Sequence, residues 1–190
     1  MKNILKNKKG FTLVELLAVI VILALIMSIA IISMNGIMQG ARYDTMKETG
    51  LQIINGVRQQ LTLSNELPME NGDTVYCYFS EAILSKGGKT SPLGGTFKYY
   101  TGTPDPTDGP FALGYTGVFK VKTSTALACT EGSGESYVKA VGKGNGKSPE
   151  FSICLITNEG GNYYINDATE ASLSSNRNDG IVKGNTSNGG

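Results

Sequence analysis

Residues 11–34 read FTLVELLAVIVILALIMSIAIISM, an apolar run interrupted only by Thr12, Glu15, Ser28 and Ser33. As a helix this segment would measure about 36 Å, enough to cross a hydrocarbon core of roughly 30 Å. Ten residues precede it, and four of them are lysines (Lys2, Lys6, Lys8, Lys9) with no acid among them. A basic cluster before an apolar span predicts an amino terminus held on the cytoplasmic side. A secretory signal peptide would have a shorter apolar region, about 7–15 residues, and a small-x-small cleavage site. The SMNGIMQGAR that follows here is a poor match to such a site. A plain single-span anchor is the stronger competitor.

Glu15 speaks against a plain anchor. A carboxylate on a lipid-facing helix costs on the order of a few kcal/mol at the bilayer centre and less near its edge. A cut between Gly10 and Phe11 would create an α-ammonium four residues before Glu15. Amine and carboxylate would then neutralise one another, within one chain or between neighbours.

The stretch Lys8-Lys9-Gly10-Phe11-Thr12-Leu13-Val14-Glu15-Leu16-Leu17 resembles the processing site of type IV prepilins and pseudopilins. In that family a basic leader ends in glycine, and an aromatic residue, a short apolar stretch, a glutamate and a long apolar run follow. The resemblance implies cleavage after Gly10 by a prepilin peptidase, methylation of the new amino terminus at Phe11, and a role for Glu15 in assembly. It also implies other pilin subunits and the pilus assembly machinery as partners, with membrane lipid as the surroundings before assembly. The location implied is the bacterial cytoplasmic membrane as a single-pass protein, then a surface filament. One departure is visible: Ala24 and Ile32 stand where many pilins carry a helix-breaking glycine and proline, and no proline occurs before Pro68.

After Met34 the pattern changes. Tyr43, Met46, Gly50, Ile53, Ile54, Val57 and Leu61 recur at three- and four-residue steps, with Arg42, Asp44, Lys47, Glu48 and Arg58 between them. One apolar stripe on a continuing helix is the expectation, from about Thr12 to about Ser64. The NELPMENGD run at 65–73 should end the helix. Strand-like runs follow at 75–79, 96–100, 115–123, 137–141, 151–156 and 162–165, separated by stretches rich in glycine and proline. The predicted fold class is α+β: a long N-terminal α-helix, apolar then amphipathic, packed against a small antiparallel β-sheet head, a pilin-like arrangement. Neither the stripe nor the apolar sheet face is soluble alone, which favours this layering. The expected organisation is a leader at 1–10, a membrane or filament-core helix at 11–34, an amphipathic continuation at 35–64, a β-rich head at 65–171 and a flexible polar tail at 172–190.

Composition narrows the functions. The formal charge is +1, and removing the leader's four lysines leaves −3, so no nucleic-acid partner is indicated. No histidine is present, which removes the commonest general base and metal ligand, and no catalytic constellation stands out; an enzyme is not expected. No cofactor is indicated. The Gly142-Lys143-Gly144-Asn145-Gly146-Lys147-Ser148 run imitates a phosphate loop, but Val141 stands where its first glycine is required, so a turn between strands is expected. Asp105 and Asp108 lie in ordinary turn chemistry rather than a calcium loop, and no metal site is expected.

Three cysteines (Cys77, Cys129, Cys154) admit three single pairings or none. The resemblance to pilins with a clamped carboxyl-terminal loop implies Cys129 with Cys154, closing a loop of about 25 residues for roughly 3 kcal/mol. The expected function is thus a structural subunit of a type IV pilus-like filament. The alternatives are a pseudopilin of a type II secretion or DNA-uptake machine, and an uncleaved membrane-anchored binding module.

Overall fold

The computed structural model describes residues 11–63, 67, 69–79, 89–99, 118–121, 128–129, 135–158, 163–175 and 179–184. The chain divides into two compact units, Met1–Gln39 and Gly40–Gly190. A single helix, α1 (Leu13–Leu63), contributes to both. The sheet strands are β1 (Thr74–Phe79), β2 (Val118–Val121), β3 (Tyr137–Val141), β4 (Glu150–Leu155), β5 (Tyr163–Thr169) and β6 (Ile181–Lys183). A short helix, α2 (Glu170–Ser174), lies between β5 and β6. The class is α+β, as the sequence predicts.

In the first unit the part of α1 before Gly40 is long and apolar enough to cross a membrane, and none of its apolar stretch is buried. Ser28, one of the few polar residues there, donates its hydroxyl to the Leu25 carbonyl at 2.8 Å. The hydroxyl is thereby satisfied by its own helix, which makes it tolerable among aliphatic neighbours.

In the second unit the stripe on α1 is covered. Met46, Ile53, Ile54, Val57 and Leu61 are all buried, in one cluster with Val75, Cys77 and Phe79 of β1 and Phe151, Ile153 and Leu155 of β4. The sheet order is β2-β1-β3-β4-β5-β6, antiparallel throughout. Register places inward residues beside inward ones: Cys77 faces Val138, Val138 faces Ile153 and Ile153 faces Ala168. A slip of one residue would turn this row away from the helix, so the apolar face fixes the pairing. Between Ile153 and Leu155 the register shifts. The extra residue lies on β5, where Asp167 adopts φ 42°, a left-handed conformation suited to a bulge.

The other sheet face carries a second cluster of Tyr76, Cys129, Tyr137, Cys154 and Ile156. The Tyr76 and Tyr137 rings meet edge to face at 5.3 Å, and the Tyr137 hydroxyl donates to Asp167 Oδ1 at 2.9 Å. Burial, followed by the Asp167 carboxylate, pushes the Tyr137 phenol far above its ordinary pKa. A disulfide joins Cys129 to Cys154 with the Cα atoms 5.7 Å apart, and Cys77 is a buried thiol outside the disulfide.

Several boundaries differ from the sequence reading. The run at 96–100 is not a strand of the sheet; its described part makes isolated bridges, Thr90 with Thr96 and Phe97 with Thr157. Of the run at 115–123, Val118–Val121 forms β2, and the remaining residues lie outside the described ones. The glycine-rich run at 142–148 is a turn leading straight into β4, with Lys143 paired to Glu150 across its base. Asp105 and Asp108 lie outside the described residues.

The largest correction concerns 172–190, expected to be a flexible tail. Its described part is ordered: α2 ends there and β6 pairs with β5 through Ile165–Ile181 and Tyr163–Lys183. The reason is tertiary. Thr169 caps α2 by accepting from the Ser172 amide, Leu173 is buried, Glu170 pairs with Arg58, and Lys47 Nζ donates to the Ser172 carbonyl at 3.5 Å. Gly180 completes the turn with φ 80°, and a Cβ there would stand 2.5 Å from Ala168 Cβ.

Three outcomes test this packing. A thiol titration of the native protein should find no reactive cysteine, and one after denaturation. Converting Cys129 and Cys154 to alanine should cost about 3 kcal/mol, read as a lowered unfolding midpoint. Gly142→Ala should destabilise by about 2 kcal/mol or more, because the added carbon would meet the Glu70 carbonyl oxygen at 2.0 Å. Thermal unfolding at near wild-type temperature would show that β3 does not approach residue 70 as described.

Candidate functional site

The start of α1 is the site the sequence singles out. Phe11 and Thr12 precede the helix, which begins at Leu13. Leu16 donates its amide to the Thr12 carbonyl at 3.2 Å, the first full helical bond, so Thr12 stands at the N-cap. Its side chain and that of Glu15 then cap one another. The Thr12 amide and hydroxyl each donate to Glu15 Oε2 at 2.9 Å, and the Glu15 amide donates to Thr12 Oγ1 at 3.2 Å. This is the reciprocal capping box, with threonine at the cap and glutamate three residues later. The carboxylate also lies where the helix dipole favours negative charge.

The arrangement is wholly exposed, and Phe11 beside it is 87% exposed. Both bonds accepted by the carboxylate fall on Oε2, so among the described residues Oε1 takes no donor. A further cation can bind there without displacing the cap. Chemically the site offers a fixed anion at a helix start, beside two residues of non-helical backbone. Gly10 and the leader lysines lie outside the described residues, so the Gly10–Phe11 junction is seen only from its Phe11 side.

Thr12 is the residue the sequence reading passed over. Its signal was present in Thr12-Leu13-Val14-Glu15, a T-x-x-E directly before an apolar run, which marks a capping box. Elsewhere, among the described residues, no group of three or more His, Cys, Asp or Glu side chains is arranged to hold a metal ion.

No curated protein and no solved structure matches the chain. Residues 5–31 match the family model for the prokaryotic N-terminal methylation motif, the prepilin-type cleavage and methylation signature of type IV pilins and pseudopilins.

Proposed function

We infer that this chain is a structural subunit of a type IV pilus-like filament, cut after Gly10 by a prepilin peptidase and methylated at Phe11. The observation that carries this reading is the methylation motif at 5–31, which spans the capped start of a helix with exposed apolar side chains. Such a surface is incompatible with water: burying each Leu, Ile or Val side chain is worth about 1.5–3 kcal/mol. Lipid meets that demand before assembly, and neighbouring helices meet it afterwards.

Glu15 links the two stages. At the membrane edge its carboxylate is partly compensated by Thr12, which lowers the cost of holding it there. In a filament the free oxygen Oε1 receives the α-ammonium of a neighbour's Phe11, a charge that cleavage alone creates. The pairing favours subunits in one polarity and register, whereas the aliphatic contacts are indifferent to both. A pseudopilin of a secretion or DNA-uptake machine would use the same chemistry in a shorter fibre, and the same motif supports it. An uncleaved membrane-anchored binding module would leave Glu15 without that cation.

Mass spectrometry of the mature protein separates these readings. The expected amino terminus is methylated Phe11, and an intact Met1 terminus would remove the filament reading altogether. Glu15→Ala is expected to leave membrane insertion intact while lowering sheared filament yield at least about tenfold, as loss of a partner leaves the other charge uncompensated. An unchanged yield would remove Glu15 from assembly. Visible surface fibres as opposed to none would separate a pilus from a pseudopilin.

A further inference from the structure

Four Asn-Gly pairs lie among the described residues: Asn35-Gly36, Asn55-Gly56, Asn71-Gly72 and Asn145-Gly146. Such a pair has a chemistry of its own. The amide nitrogen after asparagine can close a ring on the side-chain carbonyl carbon, and glycine puts no Cβ in the way. The fold treats the four differently. Gly36 and Gly56 lie inside α1, where each amide donates to the carbonyl four residues back. Asn55 is held as well, its Oδ1 accepting from Arg58 at 2.9 Å. Gly72 donates its amide to the Gly142 carbonyl at 3.1 Å. Gly146 donates no hydrogen bond among the described residues.

Asn145 and Gly146 stand at the tip of the turn between β3 and β4, and both are exposed. Lys147 closes that turn by donating its amide to the Gly144 carbonyl at 3.0 Å. Three successive residues are left-handed, with φ 63° at Gly144, 53° at Asn145 and 69° at Gly146. This backbone is costly for most side chains and less so for asparagine, which accounts for its place here. The base of the turn is fixed and the tip is not. A Cβ at Gly144 would stand 2.8 Å from Asn71 Cβ, whereas one at Gly146 would meet nothing within 4 Å. The Asn145 side chain makes no hydrogen bond among the described residues. The 147–144 bond is thus the main restraint on the rotation about Cα–C of Asn145 that brings the Gly146 amide onto Cγ.

We propose that Asn145 is a site of spontaneous deamidation, set apart from the other three asparagines by this turn. The Gly146 amide nitrogen forms a bond to Asn145 Cγ and the Cγ–Nδ2 bond breaks. The side-chain nitrogen leaves as ammonia, carrying the proton that the Gly146 amide gives up. Water then adds to either carbonyl of the resulting succinimide, which opens to aspartate or isoaspartate. No electrons change hands, and solvent is the sole co-reactant. Either product places a new carboxylate two residues from Lys143 and two from Lys147. Isoaspartate also routes the main chain through the side-chain carbon, which lengthens the backbone at the tip and disrupts the 144–147 turn. The change accumulates with time, so it records the age of the folded subunit. It does not depend on the filament reading.

Peptide mapping of the full-length protein tests the site. The folded protein in detergent and the same protein unfolded in urea are incubated side by side in mildly alkaline buffer. Conversion at each asparagine is followed by mass spectrometry of proteolytic peptides. In the folded protein Asn145 should convert at least about tenfold faster than Asn35, Asn55 or Asn71, because reaction at those three waits on local opening. In urea the four rates should draw to within about threefold of one another, since the fold no longer holds any of the amides. Isoaspartate should appear beside aspartate at position 145, because the ring can open at either carbonyl. A comparable rate at Asn71 in the folded protein, no conversion at Asn145, or a lead of Asn145 that persists undiminished in urea would each overturn the assignment. Aspartate alone at 145 would overturn ring closure by Gly146 in favour of plain hydrolysis.

Discussion

The contact of Ile53, Ile54, Val57 and Leu61 with the inner face of the sheet is the one on which the folded unit depends. Each of these side chains is worth about 1.5–3 kcal/mol on burial, and none has another place to go. The sheet has the same need. Val75, Cys77, Val138, Phe151 and Ile153 form an apolar face buried in the same cluster as the stripe. Register, strand order and the position of the bulge at Asp167 all follow from keeping these residues on one side. Even the second cluster on the opposite face is a consequence, since alternation sends Tyr76, Tyr137 and Cys154 outward when their neighbours point in.

How much of this is legible in the sequence depends on whether a signal is local. The stripe from Met46 to Leu61 has a helical period, and the VYCYF run alternates, so both can be read without tertiary knowledge. The segment from Glu170 to Lys183 cannot. Its polar composition gives no period, and its order comes from Arg58, Lys47 and Ala168, which lie far away in sequence or across a strand pair. Strand ends were displaced for a related reason: Phe97 has strand chemistry, but its partners are a single bridge to Thr157 rather than a ladder. The Cys129–Cys154 link was implied by resemblance to pilins, whereas its aromatic surroundings of Tyr76 and Tyr137 have no sequence signature.

At the amino terminus the capping box gives Glu15 a local partner in Thr12. A glutamate on an apolar helix reads first as an expense that only a new amine can justify. The bonds to Thr12 show a local justification too, since a T-x-x-E start is ordinary for a helix whose amides need acceptors. Glu15 alone is therefore weaker support for processing than its cost suggests. What restores the weight is the setting: a Gly-Phe junction just before the cap, lysines before that, and an unbroken aliphatic run after it. Capping explains why a carboxylate stands at the start of a helix. It does not explain why the start of this helix lies immediately after that junction.

The two portions of α1 then pose different demands on their surroundings. From Gly40 onward one face is apolar and the chain's own sheet covers it. Before Gly40 all faces are apolar, and a sheet can cover only one side of a helix. Lipid or several parallel helices can surround it, and only these satisfy every side chain at once. Lipid imposes no register, whereas a bundle of identical helices needs one. Polar groups are the economical source of it, because a misplaced charge is penalised far more steeply than a misplaced leucine. In the proposed filament, the few charges at the borders of the apolar segment would set the register that the aliphatic residues between them leave open.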